Sequence, residues 1–263
     1  MMQAGVKLTH TGIVTAREHL RKGYVLLSIR IEDRPAFKPG QFMMLEVSGT
    51  YDPLLLRPFS ILDSHEGVYR FLVKVTGRGT QLLAGFTPGR RLFLTGPFGN
   101  GFPAPVRDGA VVVAGGVGIA SVFSYVRLLQ EKSVPCELFY GARTQDDLVL
   151  LDLLDPYHPV LSTDDGSMGH HGKVTDILRK QRFGKRNIFA CGPLPMLAAV
   201  RDIALRHQVP CFISLEARMA CGFGVCLGCT IFDTKGRTRR VCKDGPVFNA
   251  VEVSFEKQAA QSH

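Results

Sequence analysis

The chain is predicted to fold as an antiparallel β-barrel, then a parallel-sheet α/β domain, then a small C-terminal cysteine module. Three observations predict this. Short segments of alternating apolar residues run from Leu8 to Pro97, strands alternate with helical stretches from Ala110 onward, and four of the seven cysteines lie between residues 221 and 242. Period-two alternation marks half-buried strands, whereas strand and helix in alternation mark a parallel sheet covered on both faces. A length of 263 residues accommodates two domains and an appended unit. The expected boundaries are 1–104, 105–211 and 212–263.

In order, YVLLSIRI, QFMMLEV, YRFLVKV and RRLFLTG are the barrel strands, separated by glycine and proline turns. The turn-rich run PFGNGFPAPVRDG marks a boundary near residues 98–109. A continuous apolar strand, Ala110 to Ala114, leads through a glycine turn into a helical stretch, Ser121 to Lys132. ELFYGAR is the next strand, and further strand and helix candidates extend through RNIFACG and LPMLAAVRDIALRHQ. Near the end, TIF and TRRVC alternate around Asp233, Thr234, Lys235 and Gly236, a short hairpin that returns Cys242 toward the preceding loop. No internal repeat or low-complexity segment interrupts the pattern.

Composition excludes several classes. With 45% hydrophobic and 21% charged residues the chain is globular rather than disordered. The longest apolar stretch, Ala110 to Phe123, is broken by three glycines and a serine, and falls short of the ~20 residues of a membrane helix. The opening MMQAGVKLTHTGIV lacks the apolar core of a secretory signal, so a cytoplasmic location is expected. An odd cysteine count argues against a disulfide framework, and Cys136 and Cys211 read as buried strand thiols. The net charge of +9 invites a nucleic-acid reading, with basic runs at Lys173 to Arg186 and Lys235 to Lys243. Those runs lack interleaved aromatics for base stacking, and anionic ligands would account for part of the charge, so no nucleic-acid partner is expected.

Cys221, Cys226, Cys229 and Cys242 follow the order C-x4-C-x2-C, twelve residues, C. This is the spacing of a plant-type 2Fe-2S cluster. Gly222, Gly224 and Gly228 let the loop curl around such a centre without side-chain obstruction. Structural zinc is the alternative, but zinc sites join two C-x2-C knuckles or a cysteine pair with a histidine pair. Only one C-x2-C exists here, and no histidine lies between residues 208 and 262.

In AVVVAGGVGIAS, Gly115, Gly116 and Gly118 stand between a buried strand and a helix start, where a pyrophosphate can approach the backbone. The run departs from the dinucleotide fingerprint at the third glycine position, held by Ser121, and a plain tight turn competes with it. Two more strand ends face the same crevice: STDDG and ACGPLPM, the latter holding Cys191, Gly192 and Pro193. Asp164 and Asp165 are suited to ribose hydroxyls and would repel the 2′-phosphate of NADP, or they form an ordinary Asp-Asp-Gly turn. In the barrel, Arg57 and Ser60 of RPFS offer a guanidinium for phosphate and a hydroxyl for a flavin edge. The run TGRGTQLL puts Gly79 and Thr80 at a helix N-terminus, as an anion site or an N-cap.

FKPGQF, RPFS, GRGT, GPFGNGF, AGGVGIA, STDDGS and CGP, in this order, resemble the ferredoxin-NADP reductase superfamily over nearly the whole chain. The ending CGFGVCLGC followed by VCKDGPVF is similar to one branch, the electron-transfer subunits of type B dihydroorotate dehydrogenase. The resemblance implies FAD in the barrel and NAD as substrate in the α/β domain. It also implies a cluster facing an FMN-containing dihydroorotate dehydrogenase catalytic subunit, in a heterotetramer of two of each chain. By matching positions it makes Arg57, Pro58, Phe59, Ser60, Gly79 and Thr80 FAD contacts, and the four cysteines iron ligands. Leu72, Val73 and Lys74 would pass the flavin, although many relatives carry tyrosine and arginine where Val73 and Lys74 stand. Cys191 is placed near the nicotinamide, or is a packed strand-end thiol. The implied activity, orotate formation for pyrimidine synthesis, needs no acid–base pair in this chain, because NAD exchanges hydride, a cluster exchanges single electrons, and a flavin joins them. The nearest rival is a reductase subunit with the same cofactors from a sulfide dehydrogenase, hydrogenase or ferredoxin-NAD(P) complex. A zinc-stabilised nucleic-acid-binding module is the remote one.

Overall fold

The computed structural model describes residues 8–21, 23–256 and 258. The first seven residues of the stretch read for targeting features lie outside them, as do the outer limits of the first and last expected domains.

Seven antiparallel strands form the first sheet: β1 (Thr9–His19), β2 (Tyr24–Ile31), β3 (Phe42–Leu45), β4 (Arg57–Ser60), β5 (Asp63–His65), β6 (Val68–Lys74) and β7 (Arg91–Phe98), with α1 (Arg78–Ala84) between the last two. Their order is β4-β3-β7-β1-β2-β6-β5, a half-barrel. Leu27, Ile29, Met43, Leu45, Phe71 and Val73 fill its core. Alternation along β6 turns Tyr69, Phe71 and Val73 into that core, whereas Leu72 packs with the second domain.

The second sheet contains β8 (Ala110–Gly115), β9 (Cys136–Ala142), β10 (Val160–Thr163), β11 (His170–His171), β12 (Asn187–Cys191) and β13 (Cys211–Ser214). Helices α2 (Ile119–Glu131), α3 (Leu151–Leu154), α4 (Val174–Leu178) and α5 (Leu194–His207) cross between them. The C-terminal segment adds the hairpin β14 (Thr230–Phe232) and β15 (Thr238–Arg240), α6 (Val241–Asp244) and β16 (Val247–Asn249). The sheet order is β11-β10-β9-β8-β12-β13-β16, parallel except for β16. Every residue of β8 is buried, as a strand covered on both faces must be. Val112 and Ala114 share one core cluster with Val122 and Tyr125 of α2, while Val111 and Val113 belong to a second that includes Leu197 and Val200 of α5.

Because β9 and β12 flank β8 on opposite sides, the chain reverses direction across the sheet between β8 and β12, and a crevice opens at the strand ends there. Helix α2 begins two residues before the expected Ser121, since a 3-10 turn at Gly116–Gly118 runs directly into it. Cys211 is buried as expected; Cys136, first in β9, is half-buried, with desolvation pushing its thiol up to about 12.

The C-terminal segment does not stand apart. Strand β16 pairs with β13, and the expected boundary at 211/212 falls inside β13. The Asn100 amide donates to the carbonyls of Asp244 (3.2 Å) and Val247 (3.1 Å) and accepts from the Val247 N–H (3.1 Å), clipping this segment to the end of the barrel. Asp63 of β5, itself buried, accepts from Arg70 of β6 (2.7 Å) and from Arg127 of α2 (3.0 Å), so barrel and α/β domain share one ion network. Buried charges at such a join are sustained by each other's company.

Candidate functional site

Two adjoining cavities open where the half-barrel meets the ends of the parallel strands. The first, about 330 Å³, brings together Arg57, Pro58, Phe59, Ser60, Leu72 and Lys74, with Thr80 at its edge. All four residues of β4 are half-buried, which leaves their side chains partly open to the cavity. Val73 does not join them, because strand alternation turns it into the barrel core. Gly79 does not line the cavity either; it lies under Arg57, where a Cβ would stand 3.1 Å from Nε. Its missing side chain makes room for the guanidinium, whose Nη1 donates to the Leu55 carbonyl at 2.6 Å. Thr80 occupies the third position of α1 rather than its N-cap, which is Gly77. Its hydroxyl accepts from the N–H groups of Thr76 (2.9 Å) and Gly77 (3.1 Å), bracing the turn.

The second cavity, about 550 Å³, occupies the crevice at the ends of β8 and β12. Gly115, Gly116, Gly118, Gly192 and Pro193 line it where the ends of β8 and β12 pack side by side, and Asp164 stands at the end of β10. The close approach demanded of a glycine falls on Gly118, where a Cβ would sit 2.3 Å from the Cys191 carbonyl oxygen, so no side chain fits. At the position of the fingerprint's third glycine, Ser121 bonds Ser214 (2.9 Å) beneath the surface. Asp165 turns away from the cavity: its carboxylate accepts from the Ser167 hydroxyl (2.6 Å) and N–H (3.0 Å), bonds that hold it below the usual carboxylate range. Cys191 is fully buried behind the wall, and burial raises its thiol far above its ordinary value.

Sequence reasoning missed Arg143, Lys173, Arg179 and Glu216, which also line this cavity. Arg143 follows β9 and Glu216 follows β13, so the rule that strand ends face the crevice would have found both. Lys173 and Arg179 bracket the short α4; both belong to the basic run Lys173 to Arg186, whose charge gave no hint that it faces this crevice.

Lys74, Val117 and Glu216 line both cavities, so these three residues form the shared wall. Lys74 donates to Asp147 (3.0 Å), as does the Tyr24 hydroxyl (2.7 Å). Burial works against the Asp147 charge, but those two bonds outweigh it and hold the carboxyl below its ordinary range. Glu216 is an exposed residue on the wall shared by the two cavities, and desolvation by the protein packed around it raises its carboxyl pKa.

From β13 the backbone runs along the first cavity through Ser214, Leu215, Glu216, Ala217 and Met219, then reaches Cys221. The four thiols fall into two pairs. Cys229 and Cys242 are buried with sulfurs 3.1 Å apart, and their neighbours in the core include Phe42, Met44 and Phe98 of the barrel. Cys221 and Cys226 lie toward the surface, and the Cys221 sulfur accepts from the N–H groups of Val225 (3.4 Å) and Cys226 (3.5 Å). Desolvation opposes a thiolate at Cys221, yet the loop amides prevail and lower its pKa to about 6. Among the described residues no three metal-binding side chains converge on one point. Two pairs joined by a glycine loop suit a binuclear centre with bridging sulfides better than a single tetrahedral ion.

Comparison with known proteins settles the family. Residues 216–254 match the iron-sulfur cluster binding domain of dihydroorotate dehydrogenase B, and residues 112–202 match the oxidoreductase NAD-binding domain. The chain is 38% identical over 233 residues to a dihydroorotate dehydrogenase B (NAD(+)) electron transfer subunit homolog of Aquifex aeolicus, covering 86% of this chain and 91% of that one. It belongs to this family. The electron transfer subunit of Clostridium acetobutylicum is likewise 38% identical, over 82% of this chain and 86% of the relative. Among solved structures, that of an NADH-dependent reduced ferredoxin-NADP oxidoreductase superposes with a TM-score of 0.82 at 26% identity, covering 98% of this chain and 94% of that one. A ferredoxin NADP+ reductase from Neisseria gonorrhoeae, solved with FAD and NADP, shares the fold at a TM-score of 0.68 and 15% identity, over 80% of this chain and all of that one. As a family member the chain is an oxidoreductase subunit, and membership implies a catalytic partner subunit. Among the described residues no helix is long and apolar enough to cross a membrane.

Proposed function

We propose that this chain passes electrons between a dihydroorotate-oxidising subunit and NAD, through a 2Fe-2S cluster and FAD, in the synthesis of orotate for UMP. The observation that carries the reading is the course of residues 214–221, which line the shared wall and the first cavity and then supply the first thiol. When bound, FAD exchanges hydride with NAD and single electrons with a cluster.

The residues divide that work among three units, 1–104, 105–211 and 212–263, the last continuous with the second through β13 and β16. Arg57, with Gly79 clearing its path, brings a positive charge to the FAD phosphates, and Pro58, Phe59, Ser60 and Leu72 form the flavin wall, with Thr80 bracing the adjacent turn. Gly115, Gly116 and Gly118 admit the NAD backbone, Gly192 and Pro193 lie beside them, and Arg143 and Lys173 offset its negative charge. Lys74, Val117 and Glu216 frame the meeting point of flavin and nicotinamide. Cys221 and Cys226 hold one iron, and Cys229 and Cys242 the other.

The partner subunit carries FMN and assembles with this chain two by two, in the cytoplasm. Its landing surface is the cluster loop, where Phe223, Val225 and Leu227 are 54%, 71% and 61% exposed around the exposed Cys226. The likeness to the ferredoxin-NADP oxidoreductase structure favours a second reading, a subunit exchanging electrons with ferredoxin; the 38% identity to dihydroorotate dehydrogenase subunits supports the first.

Anaerobically purified protein should contain one FAD, two irons and two acid-labile sulfides per chain. Zinc without sulfide would refute the cluster. NADH should be preferred over NADPH, and the carboxylate proposed to exclude the 2′-phosphate is Asp164, which lines the second cavity while Asp165 accepts from Ser167. Asp164→Ala should raise kcat/KM for NADPH by about tenfold, with Arg143 and Lys173 at hand to receive the extra phosphate, whereas Asp165→Ala should not. A gain in Asp165→Ala alone would reverse the assignment.

A further inference from the structure

We infer that Arg240 is the positioning residue of the proposed cluster: its guanidinium staples the loop between the first two ligands to the element carrying the fourth, and fixes one positive charge beside the sulfurs. The inference rests on the cluster reading above and names the side chain that holds that geometry.

Arg240 ends β15, two residues before Cys242. Its Nη1 donates to the Gly224 carbonyl at 3.1 Å, midway between Cys221 and Cys226. Its Nε donates to Asp244 at 3.2 Å, and its backbone N–H donates to the same carboxylate oxygen at 2.7 Å. The guanidinium therefore joins Gly224, between the first two ligands, to Asp244, two residues beyond the fourth. Its side chain is 30% exposed and that of Asp244 24%, so the pair is sheltered and the fork held in one orientation.

The loop needs this support. The start of the loop rests on the barrel, with Gly222 against Met44 and the Phe223 ring 6.3 Å from that of Phe98, whereas Val225 is exposed and the N–H groups of Val225 and Cys226 point at the loop's own sulfur. Gly224 has φ +90°, and a Cβ there would stand 2.8 Å from the Lys243 side chain, so the turn lies directly on the element that Arg240 introduces. On the other side Val241 donates to the Cys229 carbonyl at 3.1 Å. Arg240 thus bonds the Cys221–Cys226 turn to the same short segment that reaches Cys229. Four thiolates around a binuclear iron centre carry net negative charge that grows on reduction, and a fixed cation beside them favours the reduced form.

The test uses the full chain with FAD and cluster in place, comparing wild type with Arg240→Gln, Arg240→Lys and Asp244→Asn. Iron chelation is followed by bleaching, and the cluster potential by redox titration with paramagnetic resonance. Arg240→Gln should lose its cluster to chelator about tenfold faster than wild type, with a lower potential and full FAD content. Arg240→Lys should release iron comparably fast yet stay near the wild-type potential, because an ammonium keeps the charge but not the fork. Asp244→Asn should also release iron faster, but with a potential above that of wild type, because it removes a negative charge and leaves the guanidinium. Wild-type release and potential in Arg240→Gln would overturn the inference, as would FAD lost together with the cluster, since Arg240 would then support the whole fold. A wild-type chain without acid-labile sulfide would overturn the cluster reading itself, a failure distinct from indifferent variants of a loaded protein.

Discussion

Serine at any one of Cys221, Cys226, Cys229 or Cys242 is expected to remove or cripple the iron-sulfur centre while most FAD stays bound. The first cavity lies against the barrel and contains none of the four thiols, so its shape survives the exchange. In complex with the catalytic subunit, dihydroorotate-to-NAD activity should fall by about two orders of magnitude or more, because the proposed route from the partner to FAD runs through the cluster. In isolation the same variants should keep appreciable NADH-to-dye activity, since Lys74, Val117 and Glu216 join the two cavities without passing the thiols. Serine at Cys136, at the start of β9, or at Cys211, in β13, should leave the cluster intact. A Cys136→Ser protein without cluster beside a Cys242→Ser protein that retains it would refute the ligand set.

The second large effect concerns the division of labour between subunits. Oxidation of dihydroorotate requires a base to take a carbon-bound proton as a flavin accepts hydride. The titratable groups shared by both cavities are Lys74, already bonded to Asp147, and Glu216, on the wall where flavin and nicotinamide are proposed to meet. The isolated chain should therefore pass electrons from NADH to ferricyanide but leave dihydroorotate untouched. Adding the FMN subunit should create dihydroorotate-dependent NAD reduction where none was measurable. Substantial oxidation by the lone chain would overturn this wiring.

Much of this architecture is legible in the residues because each signal has a local cause. Alternation in YRFLVKV sends Phe71 and Val73 into the barrel, and the all-apolar Ala110 to Ala114 demands cover on both faces. The cysteine spacing specifies its loop and hairpin, which form as expected. Less legible was anything that depends on which way a short polar turn faces. Asp164 and Asp165 are neighbours of equal chemistry, and only the bond from Asp165 to Ser167 separates them. Val73 and Lys74 both belong to a strand that passes the first cavity, yet alternation gives the cavity Lys74 and the core Val73. Glu216 stood in plain view at the end of an apolar run, but its importance comes from two cavities meeting there, a fact of tertiary packing. The return of β16 to the edge of the parallel sheet was equally hidden, since three residues carry too little pattern to name their partner.

The most direct test of the account is an anaerobic NADH titration of the purified chain, followed by visible absorption and paramagnetic resonance. FAD takes up two electrons and a 2Fe-2S cluster one, so the chain should accept about three electron equivalents, with flavin bleaching accompanied by the signal of a reduced binuclear cluster. Saturation at about two equivalents, with no such signal and zinc in place of iron and sulfide, would contradict it.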